Sequence, residues 1–332
     1  MAAPAEEMRS PPRTIGSRIA AFRRIDPRHY IVYVGFLLIF AFFALTLNAN
    51  EFLSTTNLIN IVQQTAPVTV MAVGAVFVLT AGMIDLSIGA TVGLSALVCA
   101  FVMRDYDWPI AVAAAMAVGF GIGIVNGSFV VFLRLPSFLV TLATMALFGG
   151  VAQWISDLKS IPVPRGTFTN LFGAGTVFGI PSLIVWTVLA VGIGHFFYRE
   201  TPFGAHVLAT GDNQRAARAS GIKVNRLRFG VLVLSTATAA LAGILYCGRL
   251  YGARYTLGDA DLLTAIAAVI IGGTRLSGGA GTVVGALIGS LLMGLLNNGL
   301  ILMGLTIFEQ LVVRGLIILA AVALTLREDK PT

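Results

Sequence analysis

Charge is scarce in this 332-residue chain. Asp, Glu, Lys and Arg together fill 11% of positions while hydrophobic residues fill 57%, against roughly 25% charged in an ordinary soluble domain. That balance excludes a soluble globular protein. Cysteine is nearly absent: Cys99 and Cys247 both sit in apolar runs, so there is no disulfide framework and no metal-ligand spacing. His29, His195 and His206 are scattered, with no HExxH, which excludes a zinc site or a histidine-based hydrolase of that kind. Only three lysines occur, and none follows a GxxxxG run, so the phosphate-cradling loop that binds ATP is missing. The chain is read as no enzyme; any ATP it uses, with its Mg, is bound and hydrolysed by a partner. Segments of alternating hydrophobicity, the sign of an outer-membrane barrel, are also missing. Helices are the spanning structure left.

What is present is long apolar runs. They predict an all-α polytopic membrane protein with about ten transmembrane helices, near 31–47, 58–80, 86–103, 109–132, 135–154, 181–198, 229–248, 261–274, 281–302 and 307–326. With the N-terminus inside, sixteen Lys and Arg fall in cytoplasmic segments and five outside. The inverted topology violates the positive-inside rule, so both termini are expected in the cytoplasm. The net charge of +7 is then a topology signal, not a nucleic-acid footprint. Residues 1–30 read as a cytoplasmic basic arm, 31–326 as the membrane domain with a cytoplasmic loop at 199–228, and 327–332 as a cytoplasmic tail. The arm, with six arginines ahead of an uncleaved first helix, is either disordered or laid on anionic headgroups of the lipid bilayer.

Several local patterns interrupt the apolar runs. Gly119, Gly123 and Gly127, and again Gly281, Gly285 and Gly289, place small residues on one helix face and predict close helix packing in lipid. The break LTAGMIDLSIG, Leu79 to Gly89, puts Asp85 near membrane depth. Asp85 or Ser87 there either caps the following helix or belongs to the translocation path or its gate. A second glycine-rich break, IGGTRLSGGAGTVVG, Ile271 to Gly285, echoes LSIGATVG and reads as a contact loop or a plain turn. Asn126, Asn297, Asn298, Glu309 and Gln310 are polar groups in or beside spans that could line a path or bond between helices. In the 199–228 loop, Asp212 or Asn213 as N-cap, a helix-forming run to Ala219 and Gly221 as terminator predict a surface helix of about two turns. Such a helix is too short to be stable without a docking partner.

Taken together, EFLSTTNLINIV (51–62), AVG before IDLSIG (72–89), NGSFVVFLRLPSFLVTLATM (126–145), TPFGAHVLATGDNQRAARASGI (201–222) and the run from Ala265 to Leu300 resemble the permease subunits of ribose-type (carbohydrate uptake transporter 2) bacterial ABC importers. Met83 departs from the pattern, which usually has glycine there. The resemblance implies a type II importer architecture in which the 199–228 helix couples to the ATPase. Ala216, Ala217 and Gly221 fit the EAA-x-x-x-G pattern, with Arg215 where the acidic residue would stand; Asp212, Asn213 and Ser220 flank it. It also implies a second permease chain in a homodimer, an ATPase of two tandem nucleotide-binding domains, and a periplasmic sugar-binding protein. Arg165, Arg249 and Arg254, predicted outside, are candidates for docking that protein, although Arg254 has Asp259 and Asp261 as alternative partners.

The implied activity is passage of a monosaccharide or polyol across the bacterial inner membrane. An ABC permease for branched-chain amino acids or nucleosides is the alternative within the class. A secondary carrier or channel is the alternative outside it, disfavoured by the scarcity of ionisable residues in spans.

Overall fold

The computed structural model describes residues 28–47 and 49–328. The arm at 1–30 and the tail at 327–332 therefore lie largely outside the described residues. The first helix, α1, already starts at Arg28 and runs Arg28–Thr46. A single turn α2, Ala49–Phe52, leads into α3, Thr55–Thr80. The start of α3 is set by Ser54, whose Oγ accepts the Asn57 N–H at 3.2 Å. After the break at 81–87 come α4, Ile88–Val102, α5, Trp108–Val131, and α6, Ser137–Ser156. Then follow the short α7, Thr167–Phe172, and α8, Ser182–Arg199. The basic loop contains α9, Pro202–Asp212, and α10, Gln214–Ala219, before the long α11, Val224–Leu250. Last come α12, Asp259–Ile271, α13, Val283–Leu302, and α14, Ile307–Glu328.

A helix overlies each of the ten expected segments, and among the described residues six are long and apolar enough to cross a membrane: α3, α5, α6, α8, α11 and α13. For α4 and α12 the reason for falling outside this set is length. The 15 residues of α4 and the 13 of α12 reach about 22 and about 20 Å at 1.5 Å per residue, short of a hydrocarbon core of about 30 Å. Both are half-helices, each beside a glycine-rich break.

The bundle is layered. In the apolar window of α3, 83% of residues are buried and in α11 67%, against 28% or less in α5, α6 and α8, so the first two form an inner post and the other three a more exposed outer layer. Along α11 pack α5, α3 and α4; α13 packs on α3 and α12, and α14 on α12. Both glycine seams behave as packing surfaces. A side chain at Gly119 or Gly123 would strike α11 at Thr236, and one at Gly285 or Gly289 would strike the α12 backbone or its end at Ala268 and Gly272.

The end of the bundle away from the basic loop is closed by structure that the all-α reading lacks. Strand β1 (Ile161–Pro162) pairs antiparallel with β4 (Gly252–Ala253), and β2 (Thr176–Val177) with β3 (Ile180–Pro181). The Phe172 ring stacks on Trp186 at 5.1 Å, whose Nε1–H donates to the Leu171 carbonyl at 2.9 Å. These contacts tie the hydrophilic 155–180 stretch to the helix ends.

Candidate functional site

At the basic end, three segments that are far apart in sequence meet: the 81–87 break, α9, and the 272–282 loop. Their junction is made of backbone. The Gly279 N–H donates to the Thr80 carbonyl at 2.9 Å. Gly211, near the end of α9, lies so close to Thr80 and Gly279 that a Cβ there would overlap the Thr80 carbonyl oxygen. Aromatic contacts extend the junction. Tyr198, at the end of α8, meets Phe77 edge-on at 5.4 Å and its hydroxyl lies 3.2 Å from Thr80 Oγ1. Phe203, in the first turn of α9, lies 5.8 Å from Phe77. Through these contacts α9 is locked to the end of the inner post.

Beyond α9 the chain turns sharply at Asn213, whose side-chain Oδ1 accepts from the Arg215 N–H at 3.1 Å and the Ala216 N–H at 3.0 Å. Asn213 is thus the cap of α10, while Asp212 is the last residue of α9 and caps nothing. The expected short helix is α10; α9, which precedes it, is not expected from the sequence and is separated from it by the extended backbone of Asn213. Gly221 terminates the segment with φ of +84°, a conformation that L side chains rarely adopt. Within α10 only Ala217 is buried; Arg215, Ala216, Arg218 and Ala219 are exposed, as is Ser220. Beside it opens a groove of about 430 Å³ lined by Phe203, His206, Gly221, Lys223, Arg226 and Leu227.

From the break a buried polar thread runs into the bundle. One oxygen of Asp85 accepts from the Ser87 N–H at 3.0 Å and the Ser87 hydroxyl at 2.6 Å. Asn126 of α5 donates to Ser87 Oγ at 2.8 Å, and Thr144 of α6 donates to Asn126 Oδ1 at 2.7 Å. The Ile84 backbone is held by α6, its N–H by Ser137 Oγ and its carbonyl by Thr141 Oγ1, both at 3.2 Å. The other oxygen of Asp85 has no hydrogen-bond partner, with the Ser235 hydroxyl of α11 as its neighbour. Asp85, Ser87 and Asn126 are all buried in the protein interior. Ser87 stands at the N-cap position of α4 without making a side-chain cap bond. Met83 is buried, and its sulfur accepts the Arg228 Nε–H at 3.2 Å.

Asn297 and Asn298 do not join this thread. They lie near the opposite end of α13, where Asn298 and Asn57 exchange amide hydrogen bonds at 2.8 and 3.1 Å and Asn297 accepts from Arg314 at 2.8 Å. Glu309 and Gln310 hold the first turn of α14, at Thr306 and the Leu305 carbonyl.

Also at that opposite end, Arg165 is exposed and stacks over the Tyr251 ring at 4.8 Å. Arg254 is exposed beside a groove of about 400 Å³ lined by Ser160, Pro162, Leu250, Tyr251 and Leu257. Among the described residues the one ion pair within 4 Å is Lys159–Asp157, so Arg254 pairs with neither Asp259 nor Asp261. Arg249 is different: it is half-buried and acts electrostatically on Asp261 and Tyr246. Part of its surface remains exposed.

Sequence reasoning missed Thr144, Ser235 and Gly211, which carry no pattern by themselves. It also missed the grouping of Tyr246, Asp261 and Arg314, for which ionisable residues at span ends were the available signal. Among the described residues no three of His, Cys, Asp and Glu gather as metal ligands.

No solved structure matches the chain. Curated relatives do. The ribose import permease protein RbsC of Bacillus subtilis is 41% identical over 279 residues, covering 82% of this chain and 86% of the relative. RbsC of Escherichia coli K12 is 40% identical, covering 83% and 87%. The xylose transport system permease protein XylH of the same bacterium is 29% identical, covering 91% and 93%. Residues 57–322, which include the break, the thread and both loops of the junction, match the family model of the branched-chain amino acid transport system / permease component. The chain is a multi-span membrane permease and belongs to that family.

Proposed function

We propose that this chain is the membrane-spanning subunit of an ATP-driven importer, forming the path for a monosaccharide or related polyol across the bacterial inner membrane. The observation that carries the reading is α10. It is a short, capped helix with one buried residue, held out from the bundle by α9, whose own end is keyed through Gly211 to both glycine-rich breaks. A partner ATPase that grips α10 gains leverage on the 81–87 and 272–282 breaks through a contact too tight to slip. ATP closure of the partner then shifts the permease between its two access states, each favoured by the contacts it makes. In this reading all ten apolar helices belong to the membrane domain, with a type II arrangement and both termini on the cytoplasmic side with α10.

The cargo class rests on the relatives. Their names cite ribose and xylose, although the family description cites branched-chain amino acids. A second permease copy, a tandem-domain ATPase that binds ATP and Mg, and a periplasmic binding protein complete the assembly. Arg165 and Arg254 face that binding protein. The Asp85 thread acts as a latch on the inner gate, since moving the break would exchange its buried bonds. The test is purification from native membranes with mass spectrometry of what comes with the chain, followed by reconstitution. An accompanying ATPase and ATP-dependent ribose or xylose uptake are expected. A chain that purifies alone and transports without ATP rejects the reading in favour of a carrier or channel, and ATP-driven uptake of leucine but not of sugar rejects the cargo.

A further inference from the structure

Four helices converge near the end of the bundle opposite α10, and each contributes a polar side chain to one cluster. Tyr246 of α11 donates its hydroxyl hydrogen to Asp261 Oδ2 of α12 at 2.6 Å. Arg314 of α14 donates to Asn297 Oδ1 of α13 at 2.8 Å. Arg249 and Arg314 are both near enough for their charges to bear on Asp261, so the two pairs are neighbours. The cluster is not at the helix ends alone. Arg314 is the eighth residue of α14 and Asn297 the sixth from the end of α13, which puts them about 10 and about 8 Å inside the bundle. Arg249, Asp261, Asn297 and Arg314 nevertheless all keep part of their surface exposed.

An arginine or aspartate facing hydrocarbon within a membrane helix is costly. Four polar groups gathered on one half-open face are inconsistent with lipid and consistent with water. We propose that this face lines the outer part of the translocation path and that Tyr246, Asp261, Asn297 and Arg314 form a station that takes the hydroxyl groups of a neutral polyhydroxylated solute. The inference rests on the import reading above and assigns residues to its outer mouth. The chemistry favours hydroxyls. Asp261 only accepts, Arg249 and Arg314 only donate, and Asn297 and Tyr246 do both, so vicinal hydroxyls can replace the internal bonds one for one. With the Tyr246 phenol donating to the Asp261 carboxylate and two guanidinium groups nearby, no uncompensated negative charge is left for the ammonium group of an amino acid.

The test uses the complex reconstituted with the ATPase that copurifies with it and its binding protein, in a background with Cys99 and Cys247 replaced by alanine. Asn297→Cys is expected to react with a membrane-impermeant maleimide added outside at least tenfold faster than Leu311→Cys, an exposed apolar position on α14. Ribose-loaded binding protein with ATP should change the Asn297→Cys rate at least threefold. Tyr246→Phe and Asp261→Asn should each raise the KM for ribose uptake about tenfold with kcat within twofold. An Asn297→Cys as unreactive as Leu311→Cys, or uptake kinetics unmoved by both kinetic variants at normal membrane levels, overturns the proposal. A parent complex that takes up neither ribose nor xylose with ATP overturns the import reading instead, and the labelling rates still decide whether this face meets water.

Discussion

Gly211 shows how much a single missing side chain can matter. Its backbone rests against the Thr80 carbonyl and the Gly279 amide, leaving no volume for a methyl group. Gly211→Ala must push α9 away from the post or break the Gly279–Thr80 bond. The expected outcome is normal membrane insertion, retained ATP hydrolysis, and ribose uptake reduced at least tenfold; uptake at the parent level in proteoliposomes would contradict a rigid coupling junction. In the sequence this glycine is one of 37, and nothing local distinguishes it. Asp85, Ser87 and Asn126 were legible because a carboxylate, a hydroxyl and an amide inside apolar runs demand partners. Thr144 and Ser235 were not, because hydroxyl side chains on helices routinely bond to their own preceding turn, as Thr144 also does to the Val140 carbonyl at 3.1 Å.

Among the elements, the short helices carry the most information. At α10, Asn213 satisfies two amide N–H groups at the start of a six-residue helix that cannot stand alone. Asn213→Ala removes a cap with a typical worth of about 1 kcal/mol, and α10 should fray. Recovery of the ATPase with the purified chain should drop several-fold and be restored by Asn213→Asp, measured by quantitative mass spectrometry; equal recovery from all three forms would remove α10 from the ATPase contact. The cap and terminator of α10 were readable from Asn213 and Gly221. That α9 precedes it as a separate helix was not, because Gly204 and Gly211 read as helix-weakening residues until their contacts with Tyr198 and Thr80 are seen. The same holds for α4 and α12. Their apolar runs resemble spans, and only their ends, at Ser87 and Gly258 on one side and the glycine breaks between and beside them, reveal half-helices.

For the whole molecule, the two ends carry different chemistry. One end presents α10 and a groove bordered by His206, Lys223 and Arg226; the other presents Arg165 and Arg254 beside the groove at Tyr251. If the second end receives the binding protein, Arg165→Glu with Arg254→Glu should cut binding-protein stimulation of ATP hydrolysis at least fivefold while leaving unstimulated hydrolysis intact, the loss being greatest at low salt because exposed charges are screened. Unchanged stimulation would remove these arginines from the docking surface. Arg249, which looks equivalent in the sequence, is instead half-buried beside Asp261. By itself the sequence determined that this is a helical membrane protein, where its apolar segments run, and which family its loops resemble, because hydropathy and capping are local properties that survive without neighbours. Only the tertiary structure decided which polar residues share a site. Ser87 meets Asn126 across 39 positions, Gly211 meets Thr80 across 131, and Asn57 meets Asn298 across 241. Such pairings arise from helix packing, where small residues set how closely backbones approach, and no spacing rule along the chain encodes them.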